Sequence, residues 1–403
     1  MNTIKNPRLI WAIIYLLFNT IAFIWILETG YLMGDGEGIP LYNRNLLAFS
    51  AFLVSMSIAM IFLLFSFCGS IKLIPVKIDI NPKLISIFLL LYYSLFIFYV
   101  GLTGLFVAGN SERGGNALSA LFVVLNADIL FILYYATCRE SRYYKYVASI
   151  WMASVIQRGW FAYIFVIVGL ESFRYIRNGG IRIWHILVIL VLVAGYPLID
   201  AVKVYIRIGG GFDIVEFSNI ALSQASVVGT SWLETFASII EKIVGRIQVV
   251  SHAYVIIENI GYFYYQLNNE FLNNFWKEGI FGLIFDAFFQ LDRVKDVPQH
   301  LALYIAPDLE SSWNVNPSLV GWVSIYGEYL FLPLAYIGLI CVISYLAMSM
   351  IGQSQNAYDT LWFIWLIYLI PGWIAQFMGF IFGIVVFISI NLLLNMFASR
   401  SSA

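Results

Sequence analysis

Arg158 stands in "ASVIQRGWFAYIF" (Ala153 to Phe165), inside an apolar stretch that runs from Tyr146 to Leu170. An arginine at the centre of a membrane helix costs about +2.5 to +3.5 kcal/mol on insertion scales, so this guanidinium needs an anion. One solution is snorkelling to headgroups or pairing with a carboxylate. The other is a phosphate, which the planar fork of an arginine binds through two oxygens at once and without losing its proton. Arg246 is a second such cation, embedded in an apolar helical pattern with Glu241 and Glu258 nearby in sequence. Arg207, in "YIRIGGGF" (Tyr205 to Phe212), is a third. Neither a preceding strand nor a following Gly-Lys-Ser accompanies those glycines, so they read as a hinge rather than a P-loop.

Groups able to move a proton are few. His252 and His300 can each serve as a general base near neutral pH. His252 lies about 120° round a helix from Arg246. His300 precedes the last hydrophobic segments, where it would hang over Arg158, and is the preferred base. Asp35 and Glu37, in "GDGEGIP" (Gly34 to Pro40), form an acid-x-acid pair that can act as a base, hold a divalent ion, or do no more than make a turn. No HExxH or CxxC signature is present.

The elements that position these groups belong to a membrane. Hydrophobic residues make up 61% of the 403, charged residues only 11%, and the net charge of −1 gives no reason to expect a nucleic-acid partner. Mean hydropathy is +0.85. Cys68, Cys138 and Cys341 fall in or beside apolar runs, which implies no disulfide framework. Lys5 and Arg8 precede an apolar run too long for a signal peptide, so the first segment is expected to stay in the membrane.

Runs of spanning length occur near residues 9–28, 46–68, 84–108, 118–137, 184–200 and 329–350. The run 146–173 would make a rod of about 42 Å, and 359–397 one of about 58 Å. The second is broken by Pro371 and Gly372, and the first by Gly159 in "IQRGW". Reading 146–173 as a short hairpin places every Lys/Arg cluster on one side, as the positive-inside rule requires. The expectation is an all-α polytopic membrane protein with about ten transmembrane helices and both termini cytoplasmic. Its regions are N-terminal helices over 1–200, a large helical outward loop over 201–318, and C-terminal helices over 319–403. Within the loop, Ser231 and Glu234 form a capping box, and 269–291 reads as aromatic-rich and interfacial.

Taken together, the short hairpin with "QRGW", the loop opening "YPLIDAVKVYIRIGGG", the helix with "GRIQ" and the re-entry "NPSLVGWVSIYGEYLF" resemble the Wzy-type O-antigen and capsule repeat-unit polymerases of bacteria. The resemblance covers most of the chain. It implies a GT-C-like glycosyltransferase of the inner membrane that joins undecaprenyl-diphosphate-linked oligosaccharides at the periplasmic face, inverting the anomeric carbon with no metal or nucleotide sugar. On that resemblance Arg158 and Arg246 grip the diphosphate and His300 or another loop residue takes the acceptor's proton, while Arg207, by its own place in the loop, is a secondary candidate for the diphosphate. Donor and acceptor glycolipids, membrane lipids and a chain-length regulator would be the partners. Trp232, Trp276 and Trp313 would offer sugar-stacking surfaces. The family's pattern leads one to expect an acid where Trp322 stands, for which Glu328 is the available substitute. An O-antigen ligase, a GT-C enzyme using a polyprenyl-phosphate sugar with Asp35 and Glu37, and a glycolipid flippase are the alternatives.

Overall fold

Each long apolar run is punctuated by the residues that start and stop helices. Asn6, Asn43, Asn81, Asn116 and Asn126 accept backbone N–H groups with their side chains at five helix starts, and Pro7 and Pro82 occupy first turns. These caps open α1 (Pro7–Thr29), α2 (Arg44–Ser70), α3 (Pro82–Thr103), α4 (Ala117–Val124) and α5 (Ala127–Cys138). The computed structural model describes residues 6–71, 76–108, 116–178, 202, 205, 232–291, 294–307, 314–352 and 354–400. The expected span at 184–200, Arg207 and Trp313 lie outside them.

Among the described residues the chain is helical, with two isolated bridges and no longer strand. Six segments are long and apolar enough to cross a membrane: α1, α2, α3, the α4–α5 pair, Gly327–Ile351 and Ile374–Ala398. The remaining elements are α6 (Tyr144–Arg158), α7 (Ala162–Arg177), α8 (Trp232–Ile247), α9 (Val250–Glu258), α10 (Ile260–Asn268), α11 (Ile280–Phe289), α12 (Val297–Ile305), α13 (Leu319–Ser324), α14 (Phe331–Ile351), α15 (Gln355–Ile364) and α16 (Ile374–Arg400).

Residues 144–177 form two helices joined at Gly159, whose φ of 69° ends α6. The second long run divides in the same way. A π-turn over Trp365–Leu369 extends α15 to Pro371–Gly372, and α16 runs back. At 1.5 Å per residue each outgoing arm is only about 22–25 Å long.

Two ends of the bundle follow from these directions. At one end Arg8 and Arg177 converge on Asp359, and Arg139 and Arg174 on Glu171. At the other, here called the loop end, lie Gly30, Gly104, Gly159 and Gly372. The apex of the first short hairpin is tied there to the chain just after α3, with Ala108 N donating to Arg158 O at 2.8 Å and Trp160 Nε1 to Phe106 O at 2.9 Å. The buried run Val250–Ile256 of α9 packs against α1, α2 and α13. α13 starts on the apex of the second hairpin, where Ser318 N donates to Pro371 O at 2.8 Å and Leu319 N to Ile370 O at 2.9 Å. Broken backbone inside a bundle is stable when its polar groups find such partners.

Candidate functional site

Arg246 closes α8 at the loop end and donates from Nη1 to Asp35 Oδ1 at 2.9 Å. Its side chain is 63% exposed and that of Asp35 17%, so one face of the guanidinium is open while the carboxylate is sheltered. Asp35 belongs to the 3-10 turn Gly34–Gly36, which sits directly on the end of α8. The turn is bolted on both sides. Met33 N donates to Ser251 Oγ at 3.2 Å, Gln248 Nε2 donates to Met33 O at 3.0 Å, and Val249 N donates to Asn19 Oδ1 at 2.9 Å. Just downstream, the Tyr254 hydroxyl accepts from Tyr42 N and Asn43 N.

Gly34 makes the seat possible. Its φ is +75°, and a Cβ there would lie 2.3 Å from the Gly245 carbonyl oxygen. Gly34→Ala is therefore expected to lift the turn from α8. A loss of about 1–3 kcal/mol for the strained residue, read as a lower melting temperature of the purified protein, would confirm the seat; unchanged melting would refute it.

Sequence reading treated Asp35/Glu37 and Arg246 as belonging to rival hypotheses, and the fold joins them in one place. Glu37 is exposed on the same turn and acts electrostatically on Glu241 of α8, whose carboxyl is raised above its ordinary value by burial first and by Glu37 second. His252 lies close enough to feel both Asp35 and Arg246, but it is 1% exposed and neither ring nitrogen has a hydrogen-bond partner. Burial lowers its pKa from 6.5 to about 4, with Asp35 opposing and Arg246 assisting.

The folded state therefore keeps His252 neutral, while the unfolded chain takes up a proton below pH 6.5. Stability linked to this group is complete above pH 6.5 and falls as pH drops toward 4, by at most roughly 3 kcal/mol. His252→Leu is expected to flatten that acid dependence in thermal melts between pH 7.5 and pH 5. An unaltered pH profile would show that the ring is not buried neutral.

Arg158 requires a correction. Its Nη1 and Nη2 donate to Asp128 Oδ2 and Oδ1 at 2.9 and 2.7 Å, and Nε donates to Ser154 O and Oγ at 3.1 and 3.2 Å. Trp151 Nε1 donates to the same Asp128 carboxylate at 3.1 Å, and the Phe96 ring lies 5.2 Å from the Arg158 Cζ. The two side chains are 5% and 7% exposed. The anion demanded by this buried cation is thus a carboxylate thirty residues upstream, not a diphosphate, and the group is sealed in packing. The α4–α5 interruption sets Asp128 in place. Asn126 caps α5, and the Tyr92 and Tyr93 hydroxyls donate to the carbonyls of Leu125 and Ala127.

The preferred base is also engaged elsewhere. His300 is buried, and its Nε2 donates to the Phe271 carbonyl at 2.6 Å. Its pKa is lowered, chiefly by burial. Among the described residues, no hydrogen bond or ion pair links it to Arg158, Arg246 or Asp35. It fastens the corner where Asn273 N donates to Lys295 O and Asn273 Nδ2 to Asp296 Oδ1. Glu328 is exposed in a 3-10 turn, whereas Trp322, where an acid was expected, donates from Nε1 to buried Glu278 Oε1 at 2.9 Å. Sequence reading missed Glu278; the signal was an acid inside the aromatic run 275–289.

The arrangement that remains for chemistry is an accessible guanidinium paired with a carboxylate across two loops. It can hold an anionic group on the cation while the carboxylate accepts a proton. No family model, no curated protein and no solved structure matches this chain.

Proposed function

We propose that the protein is a glycosyltransferase of the repeat-unit polymerase type, acting on undecaprenyl-diphosphate-linked oligosaccharides at the periplasmic face of a bacterial inner membrane. The observation that carries the reading is the open guanidinium of Arg246 held beside Asp35 at the loop end. A diphosphate leaving group needs fixed positive charge as the glycosidic C–O bond breaks and its electron pair moves to oxygen. Arg246 supplies that charge without a metal. The acceptor hydroxyl attacks the anomeric carbon from the opposite side, which inverts it.

The short hairpins support the same reading, since arms of about 22–25 Å are shorter than a hydrocarbon core of about 30 Å and thin the wall through which a prenyl tail can approach from the bilayer. On this proposal the hairpin helices α6, α7 and α15 join the six long segments as spans of a GT-C-like arrangement. The arginine-rich end is then cytoplasmic, as the positive-inside rule requires. The membrane anchor of the donor no longer includes Arg158.

The test is purified protein in liposomes with a lipid-diphosphate-linked oligosaccharide and no nucleotide sugar. A ladder of lengthening glycolipids supports polymerisation. Transfer of one sugar from a polyprenyl monophosphate instead would select the GT-C alternative, and movement of the glycolipid across the bilayer without growth would select the flippase.

A further inference from the structure

We propose that Asp35 is the general base of this transfer and that its ion pair with Arg246 is a resting-state contact displaced by the substrate's diphosphate. This rests on the polymerase reading above. Three observations select Asp35. It is the carboxylate in hydrogen-bond contact with the exposed guanidinium. It is sheltered and preorganised, because Met33 on one side and the Gly34–Gly245 contact on the other fix the turn that carries it. The competing groups are placed differently: His252 is buried, His300 is bonded to Phe271, and Glu37 is exposed and, among the described residues, makes no hydrogen bond or ion pair with Arg246.

The exchange follows from charge. A diphosphate brings more negative charge than one carboxylate and matches the guanidinium fork through two oxygens. As Arg246 turns to it, the Asp35 carboxylate loses its counter-ion and becomes free to accept a hydrogen bond. In the step itself the acceptor O–H proton passes to Asp35 Oδ. The acceptor oxygen bonds to the anomeric carbon, the carbon–oxygen bond to the diphosphate breaks, and the leaving electron pair stays on the phosphate held by Arg246. The same contact prevents an idle base from activating water, because the carboxylate is occupied until a diphosphate arrives.

Inorganic pyrophosphate is the binding probe, titrated into full-length protein in nanodiscs alongside the transfer assay. Asp35→Asn removes the competing charge but keeps the size. It is expected to bind pyrophosphate about tenfold more tightly and to transfer about 10²- to 10⁴-fold more slowly, the range of a lost general base. Asp35→Glu keeps the charge at a longer reach; it should bind pyrophosphate as the wild type does and transfer at an intermediate rate, and it serves if the Asn variant does not fold. A merely structural Asp35 would weaken pyrophosphate binding and slow transfer together, and that result overturns the proposal, as does transfer by Asp35→Asn within threefold of wild type. Should wild-type protein transfer nothing from a lipid diphosphate, the polymerase reading falls, and so does the role of Asp35 as its base. Tighter pyrophosphate binding by Asp35→Asn would then still establish the counter-ion exchange, and unchanged binding would overturn that as well.

Discussion

Arg246→Ala is expected to lower transfer from a lipid diphosphate by about 10²- to 10³-fold, the loss measured when one group stabilising transition-state charge is removed, while leaving the protein folded. Both halves follow from where the side chain sits. Its only ionic contact among the described residues is Asp35, on a face open to solvent, and an exposed pair of this kind contributes under about 1 kcal/mol. The turn that carries Asp35 does not depend on the pair, because Ser251, Gln248 and the Gly34–Gly245 packing hold it. Thermal melting within a few degrees of wild type, together with loss of the product ladder, is the expected result. Arg246→Lys should recover part of the activity, since an ammonium supplies charge without the two-pronged geometry. A large drop in melting temperature would instead make Arg246 a structural residue.

The opposite pattern is expected at Arg158. Asp128→Asn leaves a guanidinium buried without its counter-ion, and breaking a buried pair costs about 3–5 kcal/mol. Arg158→Met alone strands the carboxylate, with Trp151 as its remaining donor among the described residues, at a similar cost. The double variant Asp128→Leu with Arg158→Met removes both charges. Replacing a buried pair by apolar side chains is often neutral or stabilising, so the double variant should recover most of the stability lost by either single one. It should also retain transfer, because both charges are buried and, among the described residues, bonded to neither Arg246 nor Asp35. Chemical denaturation of all four forms decides the first point: additive losses in the double variant would mean that the pair is not the unit of stability there. Loss of transfer in a fully folded double variant would return Arg158 to the active site.

How far these sites could be read from sequence differs residue by residue. Spans were legible because apolar runs such as 9–28 and 84–108 are long enough to cross a bilayer, and the structure starts them two residues earlier, at Pro7 and Pro82 behind the Asn6 and Asn81 caps. The need of Arg158 for an anion was legible from its apolar surroundings, but the identity of that anion was not. A 3.6-residue period shows which residues share a face of one helix and says nothing about which helix lies opposite, so nothing local marks Asp128, inside the run 118–137, as the partner of Arg158. Phosphate and carboxylate satisfy a guanidinium equally well on paper. The same limit hid the site proposed here: Asp35 and Arg246 are 211 residues apart, and only the seating of a glycine turn on a glycine of α8 brings them together. His300 misled for a related reason. Its type suits a base, whereas its role is decided by the Phe271 carbonyl 2.6 Å away, which no local pattern announces.

The most direct test of Arg246 as the reactive cation places three purified proteins in liposomes with the same lipid-diphosphate-linked oligosaccharide and compares their products on one gel. Wild type and the Asp128→Leu/Arg158→Met double variant should both build ladders, and folded Arg246→Ala should leave only the starting repeat. A ladder from Arg246→Ala, or its absence from a folded double variant, would contradict the assignment.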